Sequence, residues 1–153
     1  MNFLELKVPP PIIALLVGLS MWLVARFIPA FAFASAWHTT LAIGLVAAGM
    51  LFALAAIVSF FRVRTTVNPH RPHATSTMVT SGVYRFSRNP MYLGVLLVLS
   101  GWAIWLSNLL AISLLAAFVA YIHRFQILPE ERILLAKFSS DFVAYKASVR
   151  RWL

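Results

Sequence analysis

Leu41 to Phe61 is a run of 21 residues without a single charged side chain, closed by Arg62 and Arg64. A helix of that length crosses the roughly 30 Å hydrocarbon layer of a bilayer, and few soluble folds can hide so long an apolar stretch. Three further apolar runs follow the same rule less completely. Ile12 to Ile28 carries one charge, Arg26, placed near its end where the side chain can snorkel to the interface. Met91 to Leu106 and Leu109 to Ile122, extending to residue 123, are shorter and are separated only by Ser107 and Asn108. They read as a tight hairpin of short spans.

Composition agrees with that reading: 61% of the 153 residues are hydrophobic and 11% charged, far from the soluble norm of about 25% charged. The expected fold is therefore all-α, an integral membrane bundle of about four transmembrane helices with an amphipathic C-terminal helix over 129–149, in a single domain covering 1–153. Within that last helix Leu134, Phe138, Phe142, Tyr145 and Val149 recur at helical spacing, while Arg132, Lys137, Asp141 and Lys146 fall elsewhere. Pro129 suits its start, and Glu130 and Glu131 sit in the first turn, where the macrodipole favours carboxylates.

The formal net charge is +9, from 13 Lys and Arg against 4 Asp and Glu. In a bilayer protein such an excess marks the cytoplasmic face rather than a nucleic-acid partner. Apart from Arg26, the basic residues lie in the amino terminus, in or just before the loop over 65–90 and in the tail. Both termini and that loop are thus expected in the cytosol, on a bacterial inner membrane. Glu5, Lys7 and three consecutive prolines precede a first span too long for a cleavable signal, so that span should persist. No cysteine is present, which removes disulfides, thiol nucleophiles and thiolate metal sites. His70 and His73 lack further ligands nearby, and no metal site is assigned.

The 65–90 loop is long for a connection, and loops of this length commonly carry function. Its end, GVYRFSRNPMYLG from Gly82 to Gly94, passes without a linker from basic residues into the third apolar run. Backbone donors, Arg85, Arg88 and Asn89 on this side and Glu130 with Glu131 beyond the hairpin would complement both ends of a zwitterion. Tyr84 and Tyr92 can present ring faces to a cation. Plainer roles fit the same residues: Arg85 and Arg88 as lipid-phosphate anchors, Glu130 and Glu131 as ordinary first-turn carboxylates, His123 as an interfacial residue, Tyr92 and Gly94 as the start of a packed helix.

The segment TSGVYRFSRNPMYLG, the Glu130–Glu131 pair about forty residues later and the tail FVAYKASVRRWL together resemble the isoprenylcysteine carboxyl methyltransferase and phospholipid methyltransferase group. The likeness runs from about Asn68 to Trp152. It implies S-adenosyl-L-methionine as cofactor, entering from the cytosol, and a lipophilic acceptor arriving from the bilayer: an isoprenoid-linked carboxylate or thiol, or a phospholipid amine. Carried over by position, Ser76, Thr77, Met78 and Val79 line the cofactor with backbone. Tyr84, Arg88, Asn89, Pro90, Met91, Tyr92 and Gly94 follow as its next contacts, and Glu130 and Glu131 as the carboxylates beside it. Arg124 and Gln126 are the residues expected to orient the acceptor. Asn89 stands where His is frequent and cannot titrate, so no general base is assigned there. Gln126 stands where prenylcysteine enzymes carry an Arg. The competing readings are a sterol-reductase-like enzyme using NADPH, whose members are usually much larger, and a non-enzymatic lipid-binding module.

Overall fold

The computed structural model describes residues 5–33, 36–62 and 78–153. Five helices account for most of them: α1 (Pro10–Phe27), α2 (His38–Arg62), α3 (Pro90–Leu106), α4 (Leu109–Ile122) and α5 (Leu128–Ser148). Among the described residues there is no strand, only an isolated bridge between Ala32 and Asn108. The chain is all-α, as its apolar runs require. Among the described residues, three segments are long and apolar enough to cross a membrane, and α3 is a shorter apolar helix beside them. Leu15, Leu16, Ile43, Leu51 and Phe61 point outward and exposed, as lipid-facing residues of a membrane protein do.

Proline sets several boundaries. Pro10 and Pro90 occupy first-turn positions of α1 and α3, where a missing N–H costs nothing. Pro29 ends α1, and the Ile28 N–H closes the last turn onto the Val24 carbonyl at 2.8 Å. The turn between α3 and α4 is built by Ser107 and Asn108. Ser107 is left-handed (φ 50°). Asn108, 1% exposed, caps α4 by accepting from the N–H groups of Leu110 and Ala111. Its Nδ2 donates to the Ile28 carbonyl at 3.0 Å, so the α3–α4 hairpin is tied to the end of α1.

Helices α2 and α3 meet backbone to backbone. Ala42, Val46, Gly49, Ala53 and Ala56 alternate steps of four and three along α2, and Gly94, Val98 and Gly101 do the same along α3. A Cβ on Gly49 would lie 2.5 Å from the Gly94 carbonyl oxygen, and one on Gly101 would lie 2.7 Å from that of Ala42. Small residues in lipid allow this approach, and packing contacts then hold the pair. Gly44 has open space around it and takes no part. On the other side α3 packs on α1 and α4 around Met21, Leu99, Ala103, Phe118 and Ile122.

The last helix corrects two expectations. It does not begin afresh at Pro129: α4 passes through a π-helical turn (His123–Ile127) directly into α5. Pro129 brings no N–H to that junction, and the Phe125 carbonyl four residues earlier accepts instead from the Leu6 N–H at 3.0 Å. Nor is the helix over 129–149 unbroken, because Ser139 adopts non-helical angles (φ 39°, ψ −109°). The break separates the half carrying Glu130 and Glu131 from the half carrying Phe142 and Tyr145. The apolar stripe survives it, with Phe142 buried and Arg132, Lys137, Asp141 and Lys146 exposed.

Candidate active site

The loop after residue 77 is seated on the end of α2. Val79 and Tyr84 are buried against Ala56, with Phe60, Val83 and Met91 packed around them, and the Tyr84 ring meets Phe60 edge-on at 5.5 Å. Gly82 turns the chain with φ 63°, and a Cβ there would lie 2.8 Å from the Ser59 hydroxyl. The short helical turn Gly82–Arg85 then delivers Tyr84 inward.

From Ser87 onward the loop is held by the tail. Arg88 N–H donates to the Arg150 carbonyl, and Asn89 Nδ2 and Ser87 Oγ donate to that of Arg151. Tyr145 O–H donates to the Tyr84 carbonyl at 2.7 Å. Glu131 is the charged centre of this clamp: Arg88 reaches its Oε1 at 3.0 Å and Arg151 binds both oxygens at 3.0 and 2.8 Å. Burial alone would raise the Glu131 pKa, but the Arg151 hydrogen bonds and the charges of Arg151, Arg88 and Lys146 carry it below the usual carboxylate value.

Its neighbour is in the opposite situation. Glu130 faces the first turn of α3, where the Tyr92 hydroxyl donates to its Oε1 at 2.6 Å. Burial pushes the Glu130 pKa up to about 7, with the Glu131 charge adding to the rise and the Tyr92 hydrogen bond opposing it. Burial likewise raises the Tyr84 hydroxyl, helped by Tyr145 and Glu130. Two adjacent carboxylates therefore have separate tasks: one is locked in an ion-pair network, the other sits near neutrality beside aromatic rings with no cation bound to it among the described residues.

Of the residues singled out in the sequence, the fold gathers Val79, Tyr84 and Met91 in one cluster, with the hydrogen-bonded Tyr92 and Glu130 close to Tyr84; Pro90 is buried at the start of α3 and Met78 begins the described part of the loop. Arg88, Asn89 and Glu131 lie beside it, engaged with the tail. Gly94 faces Gly49 in the helix seam. Arg124 and Gln126 lie on the π turn against the amino-terminal segment. Arg124 pairs with Glu5 at 3.1 Å, while Gln126, fully buried, donates from Nε2 to the Val8 carbonyl at 2.7 Å and leaves its Oε1 without a partner. Ser76, Thr77, His70 and His73 lie outside the described residues. Sequence reasoning missed Arg151, Tyr145 and Glu5. The paired basic residues Arg150 and Arg151 were the available signal, since Glu131 and Arg88 needed partners from somewhere.

Comparison with known proteins gives one family model, described as phospholipid methyltransferase, matching residues 37–141. A curated relative from Haemophilus influenzae, an uncharacterized protein, is 46% identical over 63 residues, which is 41% of this chain and 100% of that relative. No solved structure matches.

Proposed function

Since the chain belongs to the phospholipid methyltransferase family of membrane methyltransferases, we propose that it moves a methyl group from S-adenosyl-L-methionine to a lipophilic acceptor at the cytosolic face of the membrane. The observation that carries this reading is the Tyr92–Glu130 pair, an ionisable carboxyl with a pKa of about 7 in an aromatic and aliphatic wall. That donor set fits a cationic, amphiphilic ligand: Glu130 balances positive charge, Tyr84 and Tyr92 offer ring faces, and Met78, Val79, Pro90 and Met91 exclude water. Ser76 and Thr77, outside the described residues, are assigned to the cofactor by the family resemblance alone. Arg88, Asn89 and Glu131 hold the loop in register with α5, and Gly94 fixes the height of Tyr92 by keeping α3 against α2.

When bound, the cofactor supplies an electrophilic methyl group to an in-line displacement, chemistry that rests on positioning and desolvation more than on acid–base groups. Tyr92 orients the Glu130 carboxyl, and the packed loop keeps water from it. Arg124 and Gln126 would orient the acceptor: an isoprenoid-linked carboxylate or thiol, or a phospholipid amine. For them to do so, the contacts of Glu5 and Val8 with the π turn must open.

Calorimetric titration of the detergent-purified protein with S-adenosylhomocysteine and with NADPH tests the cofactor. Binding of the first alone is expected, and binding of neither by folded protein would refute the proposal. Incubation with lipid extract and methyl-labelled cofactor then identifies the acceptor class.

A further inference from the structure

At the end of α5 a cleft of about 500 Å³ is lined by Arg88, Lys146, Arg150 and Arg151 together with residues 147–149. Three of its carbonyls are taken, and so is that of Tyr145 in the last helical turn. Those of Lys146, Arg150 and Arg151 accept from the Arg88 side chain, the Arg88 N–H and the Asn89 amide, and that of Tyr145 accepts from the Val149 N–H. Negative helix-end character that would repel an anion is thereby capped. Three cations, Arg88, Lys146 and Arg151, surround one carboxylate, Glu131, with Arg150 beside them in the lining, and they are not all satisfied by it. Lys146 stands 4.0 Å away with half its side chain exposed, Arg150 has no carboxylate partner among the described residues, and Arg88, its side chain 8% exposed, has a buried Nε with no partner.

We propose that this cleft is a phosphate-binding site, and that the phosphate belongs to the headgroup of a non-reacting anionic lipid. Guanidinium groups bind phosphate oxygens through directed, charge-assisted hydrogen bonds, and the surplus of positive charge disfavours a cationic ligand such as a sulfonium or an amine. The exposed apolar side chains of Phe86 and Leu153, each two residues from a cleft arginine, would suit a site at headgroup depth, with apolar groups beside cations. Because the same Arg88 and Arg151 hold Glu131, a bound phosphate would share the clamp that seats the loop. The inference does not depend on methyl transfer.

Native mass spectrometry of the full chain released from bilayers of equal phosphatidylglycerol and phosphatidylcholine tests it, beside thermal unfolding in neutral detergent with inorganic phosphate or chloride of matched ionic strength. Phosphatidylglycerol should be retained in preference, and the double variant Lys146→Glu/Arg150→Glu, altered only at exposed positions, should lose at least about tenfold of that retention. Protection by inorganic phosphate over chloride, absent from the variant and without a lipid preference, would keep the site and assign it a soluble phosphate compound. Equal retention of both lipids with no phosphate-specific protection would overturn the proposal, as would a preference undiminished in a variant of unchanged helical content. If the double variant fails to fold, Arg150→Gln is judged by the same two outcomes.

Discussion

Glu130 is held where its protonation state matters at ordinary pH. With a folded pKa of about 7 against 4.5 for a free side chain, the folded protein binds more protons than the unfolded chain between those values. The stabilising contribution of the protonated acid is complete below about 4.5 and is lost as pH rises through about 7. Thermal midpoints should therefore fall across that window. Glu130→Gln, which keeps an acceptor for the Tyr92 hydroxyl and cannot ionise, should flatten the profile. The same variant should weaken S-adenosylhomocysteine binding at least about tenfold, the scale of one lost charge interaction at a partly buried site. Wild-type affinity should strengthen as pH is raised through 7, because the ligand then meets a carboxylate already ionised. Calorimetry in buffers of different ionisation enthalpy would register the proton released below that point.

Between elements, the α2–α3 seam leaves no room for a side chain. Gly94→Leu should drive a side chain into the Gly49 carbonyl and the Ala53 backbone, 2.7 and 2.9 Å from the position of its Cβ. It should destabilise the protein by about 3 kcal/mol or prevent folding, read as loss of the monodisperse peak in detergent. Gly44→Leu, on the same helix but in open space, should stay within about 0.5 kcal/mol of wild type. The clamp between loop and tail is a second test at this scale. Arg151→Ala removes the bidentate partner of Glu131 and leaves Arg88 in place, so the cost should be about 1–3 kcal/mol. Hydrogen exchange should accelerate in residues 82–89 far more than in α2, because the tail holds that loop through the Arg88 N–H, the Asn89 side chain and the Tyr84 carbonyl.

For the molecule as a whole, the apolar helices were legible because their cause is simple: hydrocarbon thickness demands length and forbids charge, so Leu41–Phe61 announced α2 and Ser107–Asn108 announced the hairpin turn. The pairing of the Tyr92 segment with Glu130 was also legible, through resemblance rather than through periodicity. Three features were not. The seam was obscured because Gly44 and Gly49 look alike in sequence, and only the face turned toward α3 distinguishes them. The continuity of α4 with α5 was hidden because a proline with acidic residues after it reads as a helix start, whereas a π turn can absorb the same proline inside a longer helix. The division of labour between Glu130 and Glu131 depends on which arginines the tail carries back, information that lies 20 residues beyond Glu131 at Arg151.

One backbone atom joins distant parts of this molecule: the Phe125 carbonyl, which Pro129 cannot serve and the Leu6 amide does. Replacing Pro129 by Ala would introduce a rival donor only four residues away, and a local donor has the advantage of proximity over one arriving from the other end of the chain. Exchange at the Leu6 amide should then accelerate while α5 stays protected. In the unaltered protein that single amide acts as a reporter of the register of the helix that carries Glu130, so its exchange rate would follow the site from more than a hundred residues away in sequence.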